Sequence, residues 1–411
     1  MTNVREVDCC VAGGGPAEMM AGLLFARAGC TTLVLEKHAD FLRDFRGDTV
    51  HPSTLEVMKE LDLLDAFLER PHQQLTKLAG VFSGERIEIT DFSRIDAACK
   101  FIAFMPQWHF LDFVTGAAKK LPTFSLSMEA EVTDLIESGG RVTGVRAQTP
   151  DGPLEVTARL TIGADGRGST VRDRAGFEVE SIGAPIDVLW FRVPREAGTQ
   201  DEPLFNAGPG HILITIDRGD YYQCAFVIPK GGADAVKARG LDAFRAEAAA
   251  TAPQIAPRID DLTDMDDVKL LTVAIDRLSR WARPGLLMIG DSAHAMSPVG
   301  GVGINLAIQD AVAAANLLAG PLADGTLTDG DLAKVRKRRL WPVKATQFIQ
   351  VLAQNRIVKP ILSEKKKRPR PPLIFRIVSR SGWLKRRAAR LIGLGVRPEH
   401  VRAPERHKVA P

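Results

Sequence analysis

The stretch CVAGGGPAEMMAGLLFARAG, residues 10–29, closes an apolar run, turns through three consecutive glycines, and enters a segment whose apolar positions recur at helical spacing as far as Gly29. Upstream, VDCCVA (7–12) is short and apolar enough for a buried strand; downstream, TTLVLEK (31–37) is a second β-rich run. Strand, glycine turn, helix and strand within about 30 residues make a βαβ unit whose turn is built to hold the phosphates of a dinucleotide. Gly13 permits the tight turn, and Gly15 lets the backbone approach a pyrophosphate, which the N–H groups of the next helix attract; Pro16 and Ala17 complete the loop. Glu36 stands 23 residues past Gly13, at the end of the second strand, where a carboxylate accepts hydrogen bonds from adenosine ribose hydroxyls, with Lys37 beside it. The oddity is Glu18, which replaces the third glycine of such a loop. In partly solvated surroundings its charge would weaken dinucleotide binding by about 1 kcal/mol, so that Glu18→Gly should tighten it.

The remaining composition bounds the answer. With 411 residues, 45% hydrophobic and 25% charged, the chain is a globular sequence with room for two or three cores, which excludes disorder and small stapled scaffolds. No window offers about 20 uninterrupted apolar residues, and MTNVREVDCC lacks the order of a signal peptide, so the expected compartment is the cytoplasm. The five cysteines show no C-x-x-C pair and no metal-ligand spacing, and they read as reduced thiols. The net charge of +4 hides an asymmetry: residues 356–411 carry 17 Lys or Arg against 3 acids, leaving 37 bases against 47 acids in residues 1–355.

Two later motifs specify the dinucleotide. TIGADGRGSTVR (161–172) and GLLMIGDSAHAMSPVGGVGIN (285–305) each run an apolar strand into an acid flanked by glycine, and the second then enters a helix. With the first loop they resemble the three FAD fingerprints of the class A flavoprotein monooxygenases, the para-hydroxybenzoate hydroxylase family, over roughly residues 5–345. The resemblance implies that Asp165 and Gly166 lie near the pyrophosphate and nicotinamide path and that Asp291 holds the ribityl chain. It implies that Gly300, Gly301, Gly303, Ile304 and Asn305, with Val302 in a slot often held by Gln or Lys, face the flavin's pyrimidine edge. A helix N-terminus there stabilises an anionic reduced ring. Arg46, in FRGDTVHPSTLEVM (45–58), and Gln107, in FMPQWHFLDF, match cofactor contacts near the ribityl or phosphate portion.

By the same resemblance NADPH or NADH reduces FAD, oxygen adds, and the resulting hydroperoxide hydroxylates an aromatic or phenolic small molecule. Pro298 starts the turn beside the oxygen-transfer site, whereas His294 belongs to loop architecture. Substrate contacts are expected from the strands DVLWFRV and DYYQCAFVIP, with Trp190, Arg192 and Gln223 as wall or orienting residues and Tyr222 as a catalytic candidate. Alternation puts Tyr222, Cys224 and Phe226 on one face and Tyr221, Gln223 and Ala225 on the other, without saying which meets the flavin. A halogenase is disfavoured because Cys224 and Phe226 stand where that class has two tryptophans. A dehydrogenase or reductase acting on a prenyl or quinone-like substrate stays as the alternative, and a non-catalytic FAD-binding protein is a weaker one.

The expected fold is therefore α/β: a Rossmann-like FAD-binding domain (1–74, 101–180 and 276–345) interrupted by a mostly β substrate domain (75–100 and 181–275), followed by C-terminal helices in a basic tail (346–411). PPLIFRIVSRSGWLKRRAARLIGLG (371–395) either packs on the acidic body or contacts anionic lipid at its surface. Nucleic-acid binding has only charge in its favour, no metal is expected, and the oligomeric state is open.

Overall fold

The first apolar run forms the strand Asn3–Ala12, whose last four residues are buried because strands lie on both sides of it. The computed structural model of the protein describes residues 3–42, 49–195, 204–363 and 369–409. Asn3–Ala12 runs parallel to Thr32–Leu35 on one side and to Gly152–Gly163 on the other; Leu286–Met288 and Phe124–Ser127 extend the parallel set outward. The register aligns Ala12 with Leu35 and with Gly163, and Gly163 with Met288. The loops that follow these strands therefore leave the same edge of the sheet, where ligands of open α/β sheets bind. The hairpin Glu131–Ser138/Arg141–Thr149 joins the sheet antiparallel to the early part of Gly152–Gly163.

Helices Pro16–Arg27, Gln107–Ala118 and Gly303–Ala323 build the main core with one side of this sheet. Gly22 makes the close packing possible: a Cβ there would lie 2.7 Å from Val34 Cγ2. Gly303–Ala323 is long and apolar enough to cross a bilayer by length and composition, yet it is mostly buried in the body of the protein.

A second sheet has the order Lys269–Leu271, Ile186–Pro194, Tyr221–Pro229, His211–Asp217, Leu204–Gly208, Lys77–Phe82, Glu85–Asp91. Its two faces are both covered, as the near-continuous burial of Tyr221–Pro229 requires. Leu189, Phe191, Val193, Tyr222, Cys224 and Phe226 pack under the helix Leu241–Thr251. The alternate residues Val188, Trp190, Ala225 and Ile214 share a core with Val299, from the glycine-rich loop of the first domain, and with Val358 and Ile361. A small sheet of Thr49–Val50, Ile102–Phe104 and Gln73–Leu75 bridges the two regions.

The expected tail is not a separate unit. The helix Asp329–Ala353 crosses the expected boundary at 345, continues as a π-helical turn Gln354–Val358, and packs against both domains. Leu373–Arg380 and Gly382–Gly393 then lie on the second sheet through Phe375 and Ala389. Beyond them the chain is irregular and returns to the first domain, where Ala403 and Val409 enter the main core. The pattern of cations on 356–411 gave no hint of this return, which is held by backbone hydrogen bonds and by ion pairs of the segment's acids, Glu399 with Arg338 and Arg339 and Glu405 with Arg27.

Candidate functional site

Four loops meet at the aligned strand ends. The Gly13 N–H donates to Leu35 C=O (2.8 Å) and the Ala164 N–H to Ala12 C=O (3.0 Å), which fixes the first loop against the ends of Thr32–Leu35 and Gly152–Gly163. Gly13 has φ +108°, a value only glycine adopts cheaply. A Cβ on Gly14 would lie 2.6 Å from Glu36 Oε2, and a Cβ on Gly15 would lie 2.9 Å from Glu18 Oε2. Gly15 is the N-cap of Pro16–Arg27, with Pro16 at the first turn, so the loop opens a helix as the sequence predicts. Ala17 sits against Gly290, where an added Cβ would lie 3.3 Å from the Ala17 Cβ and 3.4 Å from that of Ala307. The first and third motifs thus converge on one another.

Glu36 is buried and accepts a hydrogen bond from the His38 N–H (2.9 Å), while Lys37 is exposed. Asp165 lies beside Gly13, accepts from Val171 N–H (3.1 Å) and from the Ser169 hydroxyl, and so anchors the short helix Thr170–Arg174. Burial raises its pKa, an effect those hydrogen bonds partly offset. Gly166 has φ +84° and open space around it. Asp291 pairs with Arg167 (3.2 Å), joining the second motif to the third.

The glycine-rich loop 297–302 is held from behind. The Gln350 side-chain amide donates to Ser297 C=O and Val299 C=O (both 2.9 Å) and accepts from Ser297 N–H (3.2 Å). Gln354 donates to the Ser297 hydroxyl, and Gln347 donates to Asp276 C=O (2.7 Å) and Ala295 C=O (3.2 Å). These three buried glutamines, at i, i+3 and i+7 of one helical run, are site residues that sequence reasoning missed; the legible signal was their spacing on an otherwise basic helix. Pro298 is half-buried, and its C=O accepts from Gly301 N–H (3.0 Å), closing the turn.

Gly300 and Gly301 have φ +84° and +63° before the helix Gly303–Ala323 begins. The N–H groups of Gly303, Ile304 and Asn305 in its first turn have no acceptor within the helix. The Asn305 side chain is spent structurally: it accepts from His51 N–H and Thr54 O–H (2.8 Å each) and donates to Thr49 C=O (3.0 Å). Burial pushes the His51 pKa down to about 4, so its ring is neutral and Nδ1–H donates to Ile392 C=O (2.8 Å). Gln107 opens its helix half-buried, reached through Ile102–Phe104, which pairs with Thr49–Val50. Arg46 lies outside the described residues.

Behind the loop a buried charge cluster ties three elements together. Asp310 accepts from His294 Nε2 (2.5 Å), Arg339 Nε (2.8 Å) and Gly290 N–H (3.2 Å). Burial alone would raise the Asp310 carboxyl; the His294 ring and the Arg339 guanidinium hold it below the usual range. Arg339 and Arg338 then share Glu399. His294 is thereby placed in loop architecture, as expected from the sequence.

Of the substrate candidates, Trp190 lies on the sheet face that shares a core with Val299. Arg192 and Gln223, directly paired across the strands, alternate onto that same face. Tyr222 is 2% exposed on the opposite face, in the core under Leu241–Thr251. Its ring is placed away from the glycine-rich loop, because alternation gives the neighbouring Gln223 the other face. Leu75, Phe104, Ile214, Ile216 and Ile392 extend the apolar wall around Trp190.

These positions suit FAD: a side chain at any of Gly13 to Gly15 would crowd the two carboxylates that line the cradle, and two helix N-termini open onto the shared edge. Residues 6–346 match the family described as an FAD binding domain. Among relatives, 6-methylpretetramide 4-monooxygenase of Streptomyces rimosus is 33% identical over 86% of this chain and 84% of its own length. Anhydrotetracycline monooxygenase of S. rimosus is 28% identical over 74% of this chain, which spans only 61% of that relative's length. The anhydrotetracycline hydroxylase OxyS from S. rimosus superposes with a TM-score of 0.74 at 24% identity, covering 96% of this chain and 77% of OxyS. With three motifs joined in one cradle and a family match over most of its length, the chain belongs to the class A FAD-dependent aromatic monooxygenases.

Proposed function

We propose that the protein uses NADPH or NADH and O2 to hydroxylate a polyketide-like or other phenolic aromatic molecule. The observation that carries the substrate class is the apolar face of Trp190, Ile214 and Ile216 opposite the glycine-rich loop, with Arg192 and Gln223 as its adjacent polar pair. Relatives named for 6-methylpretetramide and anhydrotetracycline support the same class. The bound FAD would supply the redox centre and the site of oxygen activation. Gly13, Gly15 and Ala17 would receive its pyrophosphate, Glu36 its adenosine ribose, and Asp291 its ribityl chain. The backbone N–H groups of Gly303, Ile304 and Asn305 would face the flavin and stabilise negative charge on it.

The chain's own part in turnover is placement. The apolar wall holds a flat ring and excludes water, while Arg192 and Gln223 polarise and orient its hydroxyl. The Pro298–Gly301 turn, fixed by Gln350, sets how closely substrate and flavin meet. In this reading the discontinuous FAD domain and the β domain form two walls of one site. A cytoplasmic setting fits five buried cysteines that are all free. The test is a panel of phenols and polycyclic aromatics scored by stimulated NAD(P)H oxidation and product mass. Gain of one oxygen supports hydroxylation; a change of two hydrogens without oxygen would assign the dehydrogenase or reductase chemistry instead.

A further inference from the structure

The helices Leu373–Arg380 and Gly382–Gly393 are fixed to the protein by one side only. Phe375 packs tilted against Phe82 and Phe205, Ala389 is completely buried, and Lys385 pairs with Glu88 at 3.3 Å. The other side carries large apolar groups in full view of solvent: Leu373 is 71% exposed, Ile374 50%, Ile377 48% and Trp383 60%. Around them the window 369–392 holds seven Lys or Arg and no acid. Arg376, Arg380, Arg386 and Arg390 make no ion pair among the described residues, and Arg387 lies over the Trp383 ring at 4.4 Å.

We propose that this face docks the protein on the surface of an anionic lipid bilayer. Aliphatic side chains beside an aromatic ring and a rim of arginines match the acyl boundary, the interface and the phosphate layer of such a membrane, in that order. Charge selects the occupant. A second copy of the chain would set seven cations against seven, and a nucleic acid would take up the cations but leave the aliphatic groups in water. The acidic body, 37 bases against 47 acids in residues 1–355, is repelled by the same membrane, so docking orients the molecule tail-side down.

The buried side of the pair gives docking its use. Ala389 and Ile392 share a core with Trp190, Ile214 and Ile216, so the helix on the membrane is also a wall of the substrate side. A lipophilic aromatic substrate concentrated in the bilayer then has a short route to the site. This link rests on the oxygenase reading; docking itself does not.

The full chain is floated with phosphatidylcholine vesicles, with and without phosphatidylglycerol, at low and high salt. Its partner is the variant Ile374→Ser/Ile377→Ser/Trp383→Ser, whose changes are all exposed and whose melting curve should match the parent. Flotation only with phosphatidylglycerol, weakened by salt and reduced at least about tenfold in the variant, is the expected result. Absence of flotation, or equal flotation of the variant, overturns the proposal, as does concentration-dependent dimerisation that the variant abolishes. None of these outcomes depends on turnover, so failure of the oxygenase reading is seen separately in the substrate panel.

Discussion

Replacing Glu18 by glutamine tests how the cradle tolerates a carboxylate. Glu18 is only 6% exposed, its oxygens lie against Gly13 and Gly15, and burial raises its pKa well above the usual carboxylate range. Its own backbone N–H pulls the other way, while Glu36, Asp291 and Asp165 push it higher still. An ionised Glu18 about 4–8 Å from a phosphate charge would repel it by about 2–4 kcal/mol at an effective dielectric near 20, or about 30- to 1,000-fold in affinity. The raised pKa predicts that FAD binds the form in which Glu18 is protonated. FAD affinity should therefore be flat below the raised pKa and fall by up to about tenfold per pH unit above it, while Glu18→Gln stays flat throughout. At the acidic end the two proteins should agree within about threefold, because glutamine keeps the shape and a donor. The assay is quenching of FAD fluorescence on titration with apoprotein, from about pH 6 to pH 9. A second readout follows from linkage. Because the folded state raises this carboxyl's pKa, its stabilising share is present below the unfolded value near 4.3 and is lost as pH climbs to the folded one, by about 1.4 kcal/mol per unit of displacement. Glu18→Gln should thus raise the apoprotein's Tm at neutral pH. Parallel, pH-independent FAD affinities for the two proteins would sink the idea and put the carboxylate's charge outside the phosphates' reach.

Asp310→Asn strips the charge between His294 and Arg339 in a fully buried cluster and should cost about 3–5 kcal/mol in chemical denaturation; a loss under about 1 kcal/mol would show the cluster to be solvated. Gln350→Ala frees two carbonyls and one N–H of the 297–299 turn and should lower stability by about 1–3 kcal/mol while more NAD(P)H is oxidised without hydroxylated product. With a turnover substrate, Gln223→Ala should raise KM about tenfold and Tyr222→Phe should leave kcat/KM within about twofold, since the two side chains lie on opposite faces; the reverse order would mean the wrong face has been assigned. His51 has a depressed folded pKa, so folding disfavours its protonation. Stability should fall by about 3 kcal/mol as pH drops from about 6.5 through 4, a loss that His51→Gln should abolish in acid-denaturation profiles.

The nucleotide half was legible because its physics is local. Glycines that must turn, an acid at a strand end and a helix entered through Pro16 all lie within a short span, and each restricts which residues the backbone accepts. The later motifs were legible for the same reason, although the Asn305 side chain turned out to hold residues 49–54 while its backbone N–H stays at the helix start. The substrate face was not legible. Tyr221–Pro229 is buried on both sides, so alternation separates Tyr222 from Gln223 but cannot say which covering layer is the flavin loop and which is a helix. The glutamines 347, 350 and 354 escaped notice because side-chain amides carry no charge pattern and their partners, backbone groups and the Ser297 hydroxyl, lie more than 50 residues away in sequence.

The return of residues 400–409 to the first domain constrains the order in which the molecule is made. Arg406 and His407 donate their backbone N–H groups to Arg27 C=O (2.9 and 3.0 Å), Arg27 reaches Ala403 C=O and Glu405, and Val401 N–H donates to Glu60. The helix that opens the phosphate cradle is therefore capped at its far end by residues synthesised about 380 positions later. On a ribosome that helix waits, its last turn uncovered, until residues 403–407 have emerged to cover it. A charged residue in place of Val409, which is buried in the same core, would therefore loosen that helix from about 380 residues further along the sequence.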